Sequence, residues 1–219
     1  MVPENTTAEP VILLHGIWLV GSTLRLLGRR LAAAGFEPVP LTYPSIRGGP
    51  GPAVAVVRAK LRALASRGPV HLVGHSLGGL IALESVRDVA DLPPGRIVCL
   101  GSPLTGSRAA RSLTKVPGAR HLTGRSFEVL CRGACEGLVE REVGSIAGQV
   151  PLGLGALWAG LEGPHDGTVA VEETRLPWLA DHCVVGTSHS GLLLSAEVAR
   201  RTISFLRHGR FAAPGDRPS

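Results

Sequence analysis

Residues 69–90 read PVHLVGHSLGGLIALESVRDVA. The segment PVHLVG (69–74) is a largely apolar run of strand length, and LGGLIALESVRDVA (77–90) has the length and composition of a helix. Between them stands Gly74-His75-Ser76-Leu77-Gly78, a G-x-S-x-G pentapeptide. At this glycine and serine content the string arises by chance in roughly one chain in four, so its setting carries the reading. A strand that turns directly into a helix forces the central residue into strained backbone geometry, and glycines on either side let the two elements approach closely. Ser76 would then project above the end of the strand, at the positive end of a helix. The bland alternative is a glycine-rich turn with a serine N-cap.

The flanks repeat the same alternation. PVILL (10–14) reads as a buried strand followed by a loop, HGIW. Residues 22–34 read as a helix ended by Gly35. FEPVPLTY (36–43) carries Pro38 and Pro40 and is expected to be an edge or irregular strand. After the loop YPSIRGGPGP, residues 53–66 form an amphipathic helix. RIVCLG (96–101), VGSIAG (143–148) and HCVVG (182–186) are further strands, and residues 194–206 make a closing helix. Continuous apolar strands alternating with helices imply an α/β fold with a mostly parallel central sheet flanked by helices on both faces. The expected organisation is a flexible N-terminus over 1–9, one domain over 10–208 and a flexible tail over 209–219. Residues 102–142 are the least regular part and could hold a small insertion. No large cap domain is expected.

Composition narrows the function classes. Hydrophobic residues make up 44% of the 219 and charged residues 18%, which excludes a disordered chain. Gly 29 and Pro 17 follow no G-X-Y period. No apolar run is long enough for an integral membrane span, and MVPENTTAEP lacks the basic and apolar regions of a signal peptide. The cytoplasm is the default expectation. The net charge is +6, nearly all of it from arginine, since the lysines are Lys60 and Lys115. Aromatic residues are only 4% and do not interleave with basic blocks, so no nucleic-acid partner is expected. Residues 104–126 carry Arg108, Arg111, Lys115, Arg120 and Arg125 with no acidic residue. That stretch, like Arg47, reads as a solvated basic face, or as a contact for anionic lipid or an anionic substrate. Cys99 and Cys183 lie in strand-like runs as buried thiols; Cys131 and Cys135 could form a local disulfide. His121 with those two does not make a zinc ligand set, and there is no H-E-x-x-H, so no metal is expected.

VILLHGIW, LVGHSLGG, HDGTV and SHSGLL, in this order, resemble the α/β-hydrolase superfamily in its small lipase/esterase branch. The resemblance covers about residues 10–206 and implies a catalytic serine, acid and histidine in that chain order. It places the nucleophile at Ser76, the acid at Asp166 in HDGTV and the base at His189 in SHSGLL. It implies an oxyanion hole of backbone N–H groups, from Leu77 after the nucleophile and from Ile17 in HGIW, with His15-Gly16 shaping that loop. Asp181 competes for the acid role, although it directly precedes the last strand. Glu162, Glu172 and Glu173 read as a solvated face. Of the eight histidines, His71 reads as a packed strand residue and His75 as shaping the turn beside Ser76. His121, His165, His182 and His208 lack a matching context.

The implied chemistry is acyl transfer to water through an acyl-enzyme, with no cofactor. The implied partner is a small-molecule acyl ester or a lipid, with peripheral lipid contact. Trp18, His75 and Trp158 are candidates for the substrate pocket, though Trp18 reads equally well as a packed aromatic. PLGLGALWAGL (151–161) could line an acyl pocket, form a small flap or pack on the sheet end. A thioesterase, amidase or acyltransferase would use the same residues. A non-catalytic binding or scaffold protein is the remaining alternative.

Overall fold

In the computed structural model, residues 8–17, 19–45, 49–112, 124–134, 140–152 and 161–212 are described. The strands among them are β1 (Pro10–Leu14), β2 (Glu37–Leu41), β3 (His71–His75), β4 (Ile97–Leu100), β5 (Val143–Gly148) and β6 (Asp181–Val185). They form one sheet in the order β2-β1-β3-β4-β5-β6, parallel throughout. The helices include α1 (Arg25–Ala33), α2 (Pro50–Leu64), α3 (Leu77–Val86), the short α4 (Arg108–Ser112) and α5 (Phe127–Arg132), and the closing α6 (Ala196–His208).

Side chains alternate along each strand, so the sheet carries two cores. Ile12, Leu14, Leu72, Ile97 and Cys99 face α2, α3 and α5 through Val57, Leu61, Leu77, Leu80 and Leu130. Val11, Leu13, Val73, Val98 and Leu100 face α1 and α6 through Leu27, Leu31, Val198 and Phe205. Phe205 packs close against β5 because Gly144 has no side chain; a Cβ there would stand 2.6 Å from the ring. No helix among the described residues is long and apolar enough to cross a membrane.

The strand order places the functional end of the sheet. From β1 the chain moves one way to β2; from β3 onward it moves the other way. Loops leaving the C-terminal ends of β1 and β3 therefore diverge to opposite faces, which opens a crevice there. Gly16 and Ile17 follow β1, and Ser76 follows β3.

Several elements differ from their sequence-based bounds. The prolines of β2 are tolerated because it is an edge strand. Glu37 N–H donates to Glu9 O across the sheet, so Pro38 and Pro40, on the alternate register, need no N–H for pairing. Helix α2 begins at Pro50 rather than 53, since proline in a first turn forfeits no intrahelical bond. Helix α3 stops at Val86 rather than 90, where Asp88 adopts φ 54°. Residues 22–24, expected to open one helix with α1, belong instead to a 3-10 turn, Gly21–Leu24. The chain beyond α6 stays packed past residue 209: Phe211 is buried against Phe205, and its N–H donates to Asp181 Oδ2 at 2.7 Å.

Candidate active site

Ser76 is the single residue between β3 and α3, with φ 55° and ψ −120°. A non-glycine residue there is strained and persists only where its surroundings fix it. Its N–H donates to Leu100 O at 2.8 Å, and its carbonyl accepts from Gly79 N at 3.1 Å. The glycines are steric necessities. A Cβ on Gly74 would meet Gly78 and Gly79 backbone at 2.4 Å, and one on Gly78 would meet Leu14 O at 2.4 Å. Gly79 is equally confined, with Ser102 Oγ 2.1 Å from its would-be Cβ. Ser76 thus stands at the start of α3, whose first N–H groups have no partner within the helix.

Asp166 and His189 meet each other, and His189 packs on His75, the residue before Ser76. Asp166 is buried in the turn after β5, and its Oδ1 accepts from Thr168 N at 2.9 Å and Val169 N at 2.8 Å. Its Oδ2 lies 2.7 Å from His189 Nδ1, and its carbonyl accepts from His189 N at 2.9 Å. A carboxylate accepts hydrogen bonds, so Nδ1 carries a ring proton, and in the neutral imidazole Nε2 is then the acceptor. Gly101, at φ 56°, leaves room for this pair: a Cβ there would stand 3.1 Å from both Asp166 Oδ2 and His189 Nδ1. Gly148 does the same for Asp166 Cβ, at 2.8 Å. Neither glycine stood out in the sequence; the available signal was a glycine at the end of a strand.

His75 joins the two halves of the cluster. It is buried, immediately precedes Ser76, and its ring lies 4.6 Å from that of His189. Its Nε2 donates to His189 O at 3.0 Å. Burial first, and the neighbouring His189 second, push its pKa down to about 3. It therefore faces His189 rather than an open pocket. On the other side, a Cβ on Gly16 would lie 3.2 Å from Ser76 Cβ, so the Gly16-Ile17 loop abuts the serine. That loop is braced by His15, whose Nδ1 donates to Gly16 O at 2.9 Å. Tyr43 stacks on His15 with ring centroids 4.4 Å apart and donates its hydroxyl proton to His15 O.

The competing acids are used structurally. Asp181 accepts from His182 N and Phe211 N, both at 2.7 Å. Glu173 corrects the reading of a solvated face: it is buried, and accepts from Arg108 N at 2.6 Å and Ala170 N at 2.9 Å. Glu172 is exposed as expected, paired with Arg108. His71 is a satisfied core histidine, between Arg96 N at 2.9 Å and Glu9 Oε2 at 3.0 Å. Trp18 and Trp158 lie outside the described residues, as do Arg47, Lys115, Arg120, His121 and Cys135.

No curated protein matches the sequence at a significant level. Solved structures do match the fold. A lipase of Bacillus licheniformis in its mature form is 16% identical, with a TM-score of 0.74 over 94% of this chain and 93% of that one. A phospholipase of Legionella pneumophila, solved in complex with thio-NAD, is 17% identical with a TM-score of 0.67, over 90% of this chain and 55% of that one. The thioesterase domain that cyclises the lipopeptide surfactin is 15% identical with a TM-score of 0.58, over 91% and 90%. At such identities the likeness concerns the fold. The sequence pattern of the alpha/beta hydrolase family, however, matches residues 11–218, and the chain belongs to that family.

Proposed function

We propose that the protein is a serine hydrolase that cleaves carboxylic esters. The observation that carries this is the Asp166–His189 bond of 2.7 Å, which commits Nδ1 to a buried carboxylate and leaves Nε2 as a base. Ser76 Oγ attacks the acyl carbonyl as Nε2 of His189 takes its proton. Asp166 holds the imidazole in the required tautomer and stabilises the imidazolium that forms. The N–H groups of Ile17 and Leu77 receive the charge that develops on the carbonyl oxygen. The tetrahedral intermediate collapses, the imidazolium protonates the departing alkoxide, and an acyl-serine remains. Water, deprotonated by the same His189, then releases the acid and restores Ser76.

Exposed apolar side chains stand in the segments that follow three strands: Val20 after β1 (52% exposed), Leu152 after β5 (68%) and Leu194 after β6 (60%). An ester with an apolar acyl chain is part of this reading. The test is hydrolysis of a p-nitrophenyl ester series, acetyl to palmitoyl, by wild type and Ser76→Ala side by side. Hydrolysis abolished in Ser76→Ala is the expected result, and the chain-length profile separates esterase from lipase. Wild-type inactivity at every length would refute the ester reading, and acyl-CoA turnover in a parallel arm would replace it with thioester hydrolysis.

A further inference from the structure

His189 is held at three points. Its N–H donates to Asp166 O at 2.9 Å and its Nδ1–H to Asp166 Oδ2 at 2.7 Å. The third is its carbonyl, which accepts from His75 Nε2 at 3.0 Å, across 114 positions of sequence. The first two bonds tie His189 to the loop after β5. Of these three hydrogen bonds, the third ties it to the turn that carries Ser76, beside the ring contact between His75 and His189. His75 has one free choice of tautomer, and this contact makes it: the proton is on Nε2. Its Nδ1 is then a buried lone pair with no hydrogen-bond partner among the described residues. It faces Gly16, whose would-be Cβ lies 3.1 Å away. A buried acceptor without a partner is costly, and a leucine of similar volume would avoid that cost. The ring is therefore not the most stabilising filler of this space.

We infer that His75 is a positioning residue: its Nε2–H···O=C bond to His189 sets the distance between the base and Ser76. The inference rests on the assignment of Ser76 and His189 as nucleophile and base. Proton transfer between these groups tolerates little displacement; about 1 Å costs on the order of a hundredfold in rate. The bond joins a buried ring to a backbone carbonyl, so its loss should appear in kcat and leave KM nearly unchanged.

Three variants separate positioning from simple packing. His75→Leu keeps bulk and removes the donor. His75→Gln can place an amide N–H where Nε2–H stands, whereas His75→Asn, one methylene shorter, reaches only the Nδ1 position. We expect His75→Leu and His75→Asn to lose about 10- to 100-fold in kcat, with KM within about threefold of wild type. His75→Gln should recover most of the His75→Leu loss. The rate at which a fluorophosphonate labels Ser76 should fall and recover in step. Equal losses in His75→Leu and His75→Gln, or wild-type kcat in both, would overturn the inference. Ser76→Ala is run alongside: hydrolysis surviving in it sinks the functional reading, whereas its inactivity with full activity in His75→Leu sinks the positioning role alone. If a variant does not fold, imidazole ¹⁵N shifts of the wild-type protein decide. A proton on His75 Nε2 and a bare Nδ1 are expected, and a proton on Nδ1 refutes the bond.

Discussion

Asp166→Asn tests the acid assignment through the tautomer of His189. Asp166 Oδ1 accepts two backbone N–H groups, from Thr168 at 2.9 Å and Val169 at 2.8 Å, while Oδ2 faces His189 Nδ1 at 2.7 Å. Asparagine has one oxygen to place. At the Oδ1 position it keeps both backbone bonds; turned over, it sets an NH2 group against two N–H donors. Two lost bonds at about 1 kcal/mol each favour the first orientation by at least about 2 kcal/mol, or roughly thirty to one. The NH2 then points at His189 Nδ1, which must accept. The ring proton moves to Nε2, and no lone pair remains for the Ser76 proton. The expected loss in kcat is about 10³–10⁴-fold. KM and the thermal midpoint should change little, since the turn keeps both backbone bonds. Initial rates on the best p-nitrophenyl ester measure this, with Asp181→Asn as control. Asp181 accepts from His182 N and Phe211 N, so that variant should stay within about threefold of wild-type activity. Activity of Asp166→Asn within tenfold of wild type, or a larger loss in Asp181→Asn, would refute the reasoning.

Gly78→Ala should separate stability from activity. Its Cβ would lie 2.4 Å from Leu14 O and 2.8 Å from His15 O, so the loop beside Ser76 must move by roughly 1 Å. Better helix propensity, worth about 1 kcal/mol, offsets part of the overpacking, so the melting point should drop only a few degrees while ester hydrolysis falls about a hundredfold; retained activity would refute the loop's role. Glu173→Gln leaves one of two backbone donors, Arg108 N or Ala170 N, facing an amide NH2, and should cost about 1–3 kcal/mol in urea denaturation. An unchanged urea midpoint would return Glu173 to a solvated role. Burial lowers the pKa of His75 to about 3 and of His182 to about 4, with Arg175 contributing at His182. Both folded-state values lie below the unfolded value of about 6.5, so the unfolded chain binds more protons in between. This part of the stability is complete above about pH 6.5 and is lost as pH falls, by up to about 1.4 kcal/mol per pH unit for the buried His75 and by less for the half-buried His182. Equal urea midpoints at pH 8 and pH 5 would contradict it.

The sheet was readable because its information is local. VGSIAG is β5 to the residue, and PVILL is β1, since a strand buried on both faces must be apolar along its whole length. Helix ends were less readable. Pro50 and Asp88 shift them by several residues, and their effect depends on backbone angles that a hydrophobic pattern does not encode. The acidic residues divide in the same way. HDGTV announces a turn, and the structure joins its Asp166 to His189. VEET reads as solvent-exposed, yet Glu173 is buried, because α4 arrives from more than sixty positions earlier to offer it a backbone N–H.

From the sequence alone came the strand-to-helix turn at Ser76 and the glycines that permit it, whereas the order of serine, acid and histidine was only implied by the resemblance to the hydrolase family. The turn and its glycines are written in neighbouring residues, where alternation, turn chemistry and steric demand act over a few positions. Tertiary structure alone decided that Gly101 must be bare, that Glu173 is buried and that His75 spends its one donor on the carbonyl of His189. Those relations join residues scores of positions apart. They exist only once the sheet order has brought the ends of β3, β4, β5 and β6 side by side, and no local preference of the chain records them.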